Sequence, residues 1–141
     1  MLKSWRWIAS AATATAFMGA TPALAEPKIH PLGIELNTIE PTDGKCRLTF
    51  VMSNPADAPV DSLKADTAVF GPDGVIKRRL VIEFGPLKPK KTSIRAFDLD
   101  ATCDSLGSLL VNDIIACAPE TLGDCLARLE LSSRTSVGLF K

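Results

Sequence analysis

The chain has no tyrosine, a single histidine (His30) and no Cys-x-x-Cys pair, and both of its tryptophans, Trp5 and Trp7, lie close to the N-terminus. Each shortage excludes something. One histidine without paired cysteines cannot supply the usual ligand spacing of a zinc site. No Gly-x-Ser-x-Gly, His-Glu-x-x-His or glycine-rich phosphate loop occurs, so the motifs of a hydrolase, a zinc protease and a nucleotide site are all missing. The sequence therefore reads as a non-enzyme with no catalytic residues, metal or cofactor. Charge bias is missing too, because sixteen basic residues balance sixteen acidic ones. That balance argues against a nucleic-acid binder.

What is present begins with an address. Lys3 and Arg6 precede an apolar and small-residue run from Ile8 to Ala20, and Ala23-Leu24-Ala25 supplies a small–x–small pattern before Glu26. This predicts a Sec-type signal peptide over residues 1–25, cleaved after Ala25 and too short and Ala/Thr-rich for a membrane span. No cysteine lies near the cleavage point and no Arg-Arg pair marks the twin-arginine route. The expected product is one periplasmic or secreted domain over residues 26–141, with no transmembrane segment. Losing Lys3 and Arg6 leaves it two charges negative. Its only aromatics are Phe50, Phe70, Phe84, Phe97 and Phe140, so the core must be mainly aliphatic.

Four cysteines in an exported chain, Cys46, Cys103, Cys117 and Cys125, predict two disulfides. Apolar residues alternate with polar ones in Ile34–Asn37 and Cys46–Ser53, the period of a half-buried strand. Further strands are expected at Leu63–Phe70, Val75–Phe84, Thr92–Leu99, Leu106–Cys117 (buried on both sides), Leu126–Ser133 and Val137–Phe140. Turn clusters at Asn54–Pro59, Gly71–Gly74 and Gly85–Lys91 separate several of them. Seven to eight short antiparallel strands predict an all-β, immunoglobulin-like β-sandwich. In that topology the second strand pairs with the fifth. Cys46 and Cys103 then meet at one end of a sheet, and Cys117 and Cys125 clip the connection between the sixth and seventh strands.

Charge along the chain is uneven. Between Val75 and Ala96 stand Lys77, Arg78, Arg79, Lys88, Lys90, Lys91 and Arg95 against one acid, Glu83. If the Pro86–Thr92 turn folds beside Lys77–Arg79, a basic patch results that would dock an anionic partner. The plainer reading is a charged edge kept soluble. Arg78 falls in the inward phase of its strand, so it must either pair with an acid or mark a bulge. Asp98, Asp100 and Asp104 form an acidic group that suits capping of the turn after Cys103 better than calcium. His30, in the entry segment, reads as solvent-exposed.

Gly44–Phe50, Asp61–Leu63, Val69–Val75, Arg95–Leu99 and Ser132–Thr135, with the four-cysteine spacing, resemble a group of small exported proteobacterial envelope proteins. The resemblance spans nearly all of residues 26–141 and brings no active site with it. It implies an envelope partner, of the class that includes TonB/ExbB/ExbD-type systems. The expected function is a periplasmic binding module using a strand edge and the basic segment. The alternatives are an inhibitor of a secreted enzyme presenting Gly85–Lys91, and a lipid- or glycan-binding module.

Overall fold

The structure is a computed structural model that describes residues 22–24 and 30–141. The expected cleavage site, and the leader apart from residues 22–24, lie outside the described residues. Among the described residues, eight strands form two four-stranded sheets: β1 (Leu32–Thr42), β2 (Lys45–Asn54), β3 (Ser62–Phe70), β4 (Ile76–Glu83), β5 (Lys91–Leu99), β6 (Ser108–Ala118), β7 (Leu129–Ser133) and β8 (Gly138–Phe140). One sheet has the order β5-β2-β1-β7 and the other β4-β3-β6-β8. The all-β class is as the alternation predicts. β2 pairs with β5, from Asn54 opposite Lys91 to Cys46 opposite Leu99. Both disulfides, Cys46–Cys103 and Cys117–Cys125, are formed. Two pairings, β1 with β7 and β6 with β8, are parallel, where the sequence reading had antiparallel strands throughout.

Inward phases of the two sheets meet in one core. Leu32, Ile34 and Leu36 of β1, Leu48, Phe50 and Met52 of β2, Leu63 and Val69 of β3, and Leu109 and Val111 of β6 are buried. The core is aliphatic around one aromatic group. Phe50 meets the edges of Phe84 and Phe97 at centroid distances of 5.2 and 5.8 Å, where β2, β5 and the β4–β5 connector converge.

Turn chemistry fixes the ends. Asp43 and Gly44 both have positive φ, the requirement of a two-residue hairpin turn, and they join β1 to β2. Gly74, at φ 77°, closes the β3–β4 turn as the Gly71–Gly74 cluster predicts. A Cβ on Gly107 would collide with the Gly71 carbonyl, so this position lets the β3–β4 turn rest on the approach to β6.

Four details depart from the sequence reading. β6 is not buried on both sides, because extra residues at Asn112 and Ile115 interrupt its pairing with β3 and leave Ile115 exposed. β7 starts at Leu129, since Cys125–Arg128 form a helical turn, α1, begun by the Asp124 side chain accepting from the Ala127 amide. The turn after Cys103 has no carboxylate cap; the Ser105 hydroxyl donates to the Thr102 carbonyl instead. His30 is half-buried, and Arg128 donates to its carbonyl at 3.0 and 3.1 Å.

Candidate functional site

β4 ends one sheet and β5 ends the other, and the connector between them carries the chain across the same side of the sandwich. All seven cations of the basic segment stand on this flank. Lys77, Arg78 and Arg79 belong to β4, Lys88 and Lys90 to the connector, and Lys91 and Arg95 to β5. They do not gather into the single patch that folding of the Pro86–Thr92 turn beside Lys77–Arg79 would give. β4 runs from the Gly71–Gly74 end toward the connector, so Lys77 and the lysines of the connector stand at opposite ends of a strand roughly 25 Å long. The cations form a stripe along the flank.

The Arg78 question resolves toward a bulge. Val69 pairs with Arg78 and Phe70 with Ile76, which leaves Lys77 as an extra residue. Ile76 is thereby turned out to solvent while Leu80 and Ile82 keep the inward phase.

Three cations have partners. Lys77 donates to Asp73 at 2.9 Å, Arg79 pairs with Asp66, and Lys90 lies 3.4 Å from Asp57. Arg78, Lys88, Lys91 and Arg95 have no ion pair among the described residues. The hydrogen bond from Arg79, helped by one from Asn112, holds Asp66 below the usual carboxylate range. That from Lys77, with the Val75 amide, does the same for Asp73.

The connector is held in place. Buried Asn54 donates to the carbonyls of Ala58 and Leu87 and accepts from the Ala56 amide. Val60 and Leu87 exchange backbone hydrogen bonds at 2.9 and 2.7 Å, and the Lys90 amide donates to Ala56. The Asn54–Pro59 and Gly85–Lys91 loops therefore share one end of the sandwich. A cavity of about 600 Å³ opens beside them, lined by His30, Ala56, Leu122, Gly123, Asp124 and Arg128 among others.

Asp98, Asp100 and Asp104 do not assemble into a site. Asp98 accepts from Arg47 at 2.7 and 3.0 Å, which lowers its pKa and raises that of Arg47. Among the described residues no group of three or more His, Cys, Asp or Glu side chains is placed to hold a metal ion. No described helix is long and apolar enough to cross a membrane.

One feature of the flank escaped the sequence reading. Ile94 on β5 is 69% exposed. The signal was there: with Ser93, Arg95, Phe97 and Leu99 in the inward phase, alternation puts Ile94 outside among Thr92, Ala96 and Asp98.

Together these observations define a disulfide-bonded all-β sandwich with one open, basic flank. Comparison with family models, curated proteins and solved structures finds no match to this chain.

Proposed function

We propose that this protein is an exported, non-enzymatic binding module of the periplasm, accessory to an envelope protein complex, that engages its partner through the β4/β5 flank. The observation that carries the reading is the placement of all seven cations of the basic segment on the one side where both sheets end in long antiparallel edges. Four of them are without a carboxylate partner among the described residues. Open edges offer hydrogen bonds and the cations offer attraction to an anionic face. Two disulfides suit an oxidising compartment such as the periplasm. Envelope components of the TonB/ExbB/ExbD class are the partners to look for first.

The test is affinity recovery from cross-linked envelopes with the protein as bait, beside a variant carrying Lys88→Glu, Lys90→Glu and Lys91→Glu. A specific envelope protein recovered by the parent and lost by the variant is the expected result. Recovery indifferent to the charge reversal would remove the flank from the reading.

A second reading has one observation in its favour. Asn54, Val60 and Ala56 hold the Gly85–Lys91 connector in a fixed conformation while Lys88, Pro89 and Lys90 stay exposed. A pre-ordered loop is what an inhibitor of a secreted enzyme presents, because less freedom is lost on binding. Stoichiometric block of a hydrolase by the purified protein would favour that reading over the envelope scaffold.

A further inference from the structure

We propose that the outer edge of β5 takes up an extended acidic–apolar segment of a partner protein as a fifth strand of its sheet, a site that rests on the flank reading above and makes it specific. The four edges of the sandwich differ in how they are protected. β7 has five residues and β8 three, too short to template much pairing. β4 carries a bulge at Lys77 and three consecutive cations. Short strands, bulges and charge are the devices that keep an edge from pairing. β5 has little of this. Its nine residues run in unbroken register with β2 and contain no proline, glycine or bulge.

The two phases of β5 say what such a strand must carry. Thr92, Ile94, Ala96 and Asp98 face outward, and Ile94 is the most exposed large apolar side chain in either sheet. Its cross-strand partner is half-buried Val51, so an aliphatic surface runs across the strand pair. Ser93, Arg95, Phe97 and Leu99 take the other phase, with Arg95 half-buried and without an ion pair among the described residues. An added strand would satisfy the edge amides and carbonyls of β5 that have no backbone partner among the described residues. Alternate side chains would cover Ile94, and the ones between them would lie beside Arg95 within the field of the flank. Aliphatic residues at every second position with carboxylates between them match that arrangement. A second copy of β5 would instead bring two seven-cation flanks together, which opposes association.

The probe is a capped peptide of alternating valine and glutamate, added to the isotope-labelled, disulfide-bonded protein and followed by amide shifts and hydrogen exchange. The expected result is saturable change confined to Lys91–Leu99, with exchange of the newly bonded amides slowed roughly tenfold. Affinity should fall as salt rises. Ile94→Lys alters a side chain already in solvent, so the fold stays intact while affinity drops by about fivefold or more. A valine–lysine peptide should show no binding.

Four outcomes overturn the proposal. The same residues in block order protect β5 as well as the alternating peptide does. Protection maps to β4 instead. No β5 amide responds at roughly millimolar peptide. Or β5 is protected without peptide and more so as protein concentration rises, which would make the occupant a second copy. Failure here is separable from failure of the flank reading. If β5 ignores the peptide while the triple reversal still abolishes partner recovery, the flank binds by charge alone; if recovery is also indifferent, both ideas fall.

Discussion

On the flank where β7 and β8 close the sandwich, cations are spent on the main chain. Arg128 donates to the carbonyls of His30 and Leu122, and Lys141 donates to those of Leu126, Ala127 and Leu129. Arg134 pairs with Glu35, and its amide donates to Leu36 beside the β1 bulge at Asn37. On the opposite flank, Arg79 and Lys77 reach nearby carboxylates, and Arg78, Lys88, Lys91 and Arg95 have no ion pair among the described residues. The same residue types thus close one side and leave the other electrically exposed. A cation with a carbonyl in reach belongs to the fold; one facing solvent beside an unpaired edge is available to a partner.

Removing the covalent staples should have the largest effect. Cys46–Cys103 ties β2 to the turn after β5 across 57 residues, and Cys117–Cys125 clips a loop of 8 before β7. Loop-closure entropy assigns about 4 kcal/mol to the first and about 2.5 kcal/mol to the second. Denaturant unfolding of Cys46→Ser/Cys103→Ser and Cys117→Ser/Cys125→Ser should preserve that order. Equal losses would show that the open side does not depend on its longer staple.

Arg128→Met comes next. It deletes three charge-assisted hydrogen bonds from a half-buried guanidinium and should cost about 2 kcal/mol. Arg78→Met, on the open flank, should stay within about 0.5 kcal/mol. Comparable losses from the two would dissolve the contrast between the flanks.

Acid offers a graded test. Hydrogen bonds from Arg79, Lys77 and Arg47 depress Asp66, Asp73 and Asp98, and those from Asn37 and Arg134 depress Glu35. A depressed carboxylate contributes stability that is complete above its unfolded pKa and disappears as pH falls through the folded value. Stability should therefore be level above about pH 4.5 and decline below about pH 4. Three of the four acids brace β4 or β5. Amide exchange near pH 3 should accordingly quicken on those strands before β7 and β8, and Asp98→Asn should flatten the decline. Uniform loosening would contradict this.

Much of the fold could be read from the chain because alternation survives wherever a strand has one buried face. Leu48, Phe50 and Met52 needed nothing beyond their spacing, and the cysteine pairing followed from placing the second strand beside the fifth. The rest was hidden for physical reasons. Bulges at Asn37, Lys77, Asn112 and Ile115 shift the phase without changing composition, so Ile76 falls outside the inward phase of Leu80 and Ile82, and the strand expected to be buried on both sides leaves Ile115 exposed. The parallel pairing of β7 with β1 and of β8 with β6 depends on long-range packing that no local pattern encodes. Asp98 read as a cap because its partner, Arg47, lies 51 residues away. For the candidate site, composition identified the cations and alternation already placed Ile94 outward, but only the sheet order spread the cations into a stripe along an edge.

The smallest expected effect is the one on which the open flank depends most. Lys88, Lys90 and Lys91 are exposed, and only Lys90 has a carboxylate nearby, at Asp57, itself highly exposed. Exposed pairs of this kind contribute little, so replacing all three lysines with glutamate should change stability by no more than about 0.5 kcal/mol. For a domain of this size that is a shift of about 3 °C or less in Tm. A change this small means the lysines are not needed to hold β5 in place, and any loss of partner recovery in the same variant then reports binding rather than unfolding. A fall well beyond that limit would make the stripe part of the folding machinery, and the two flanks would then differ in geometry but not in purpose.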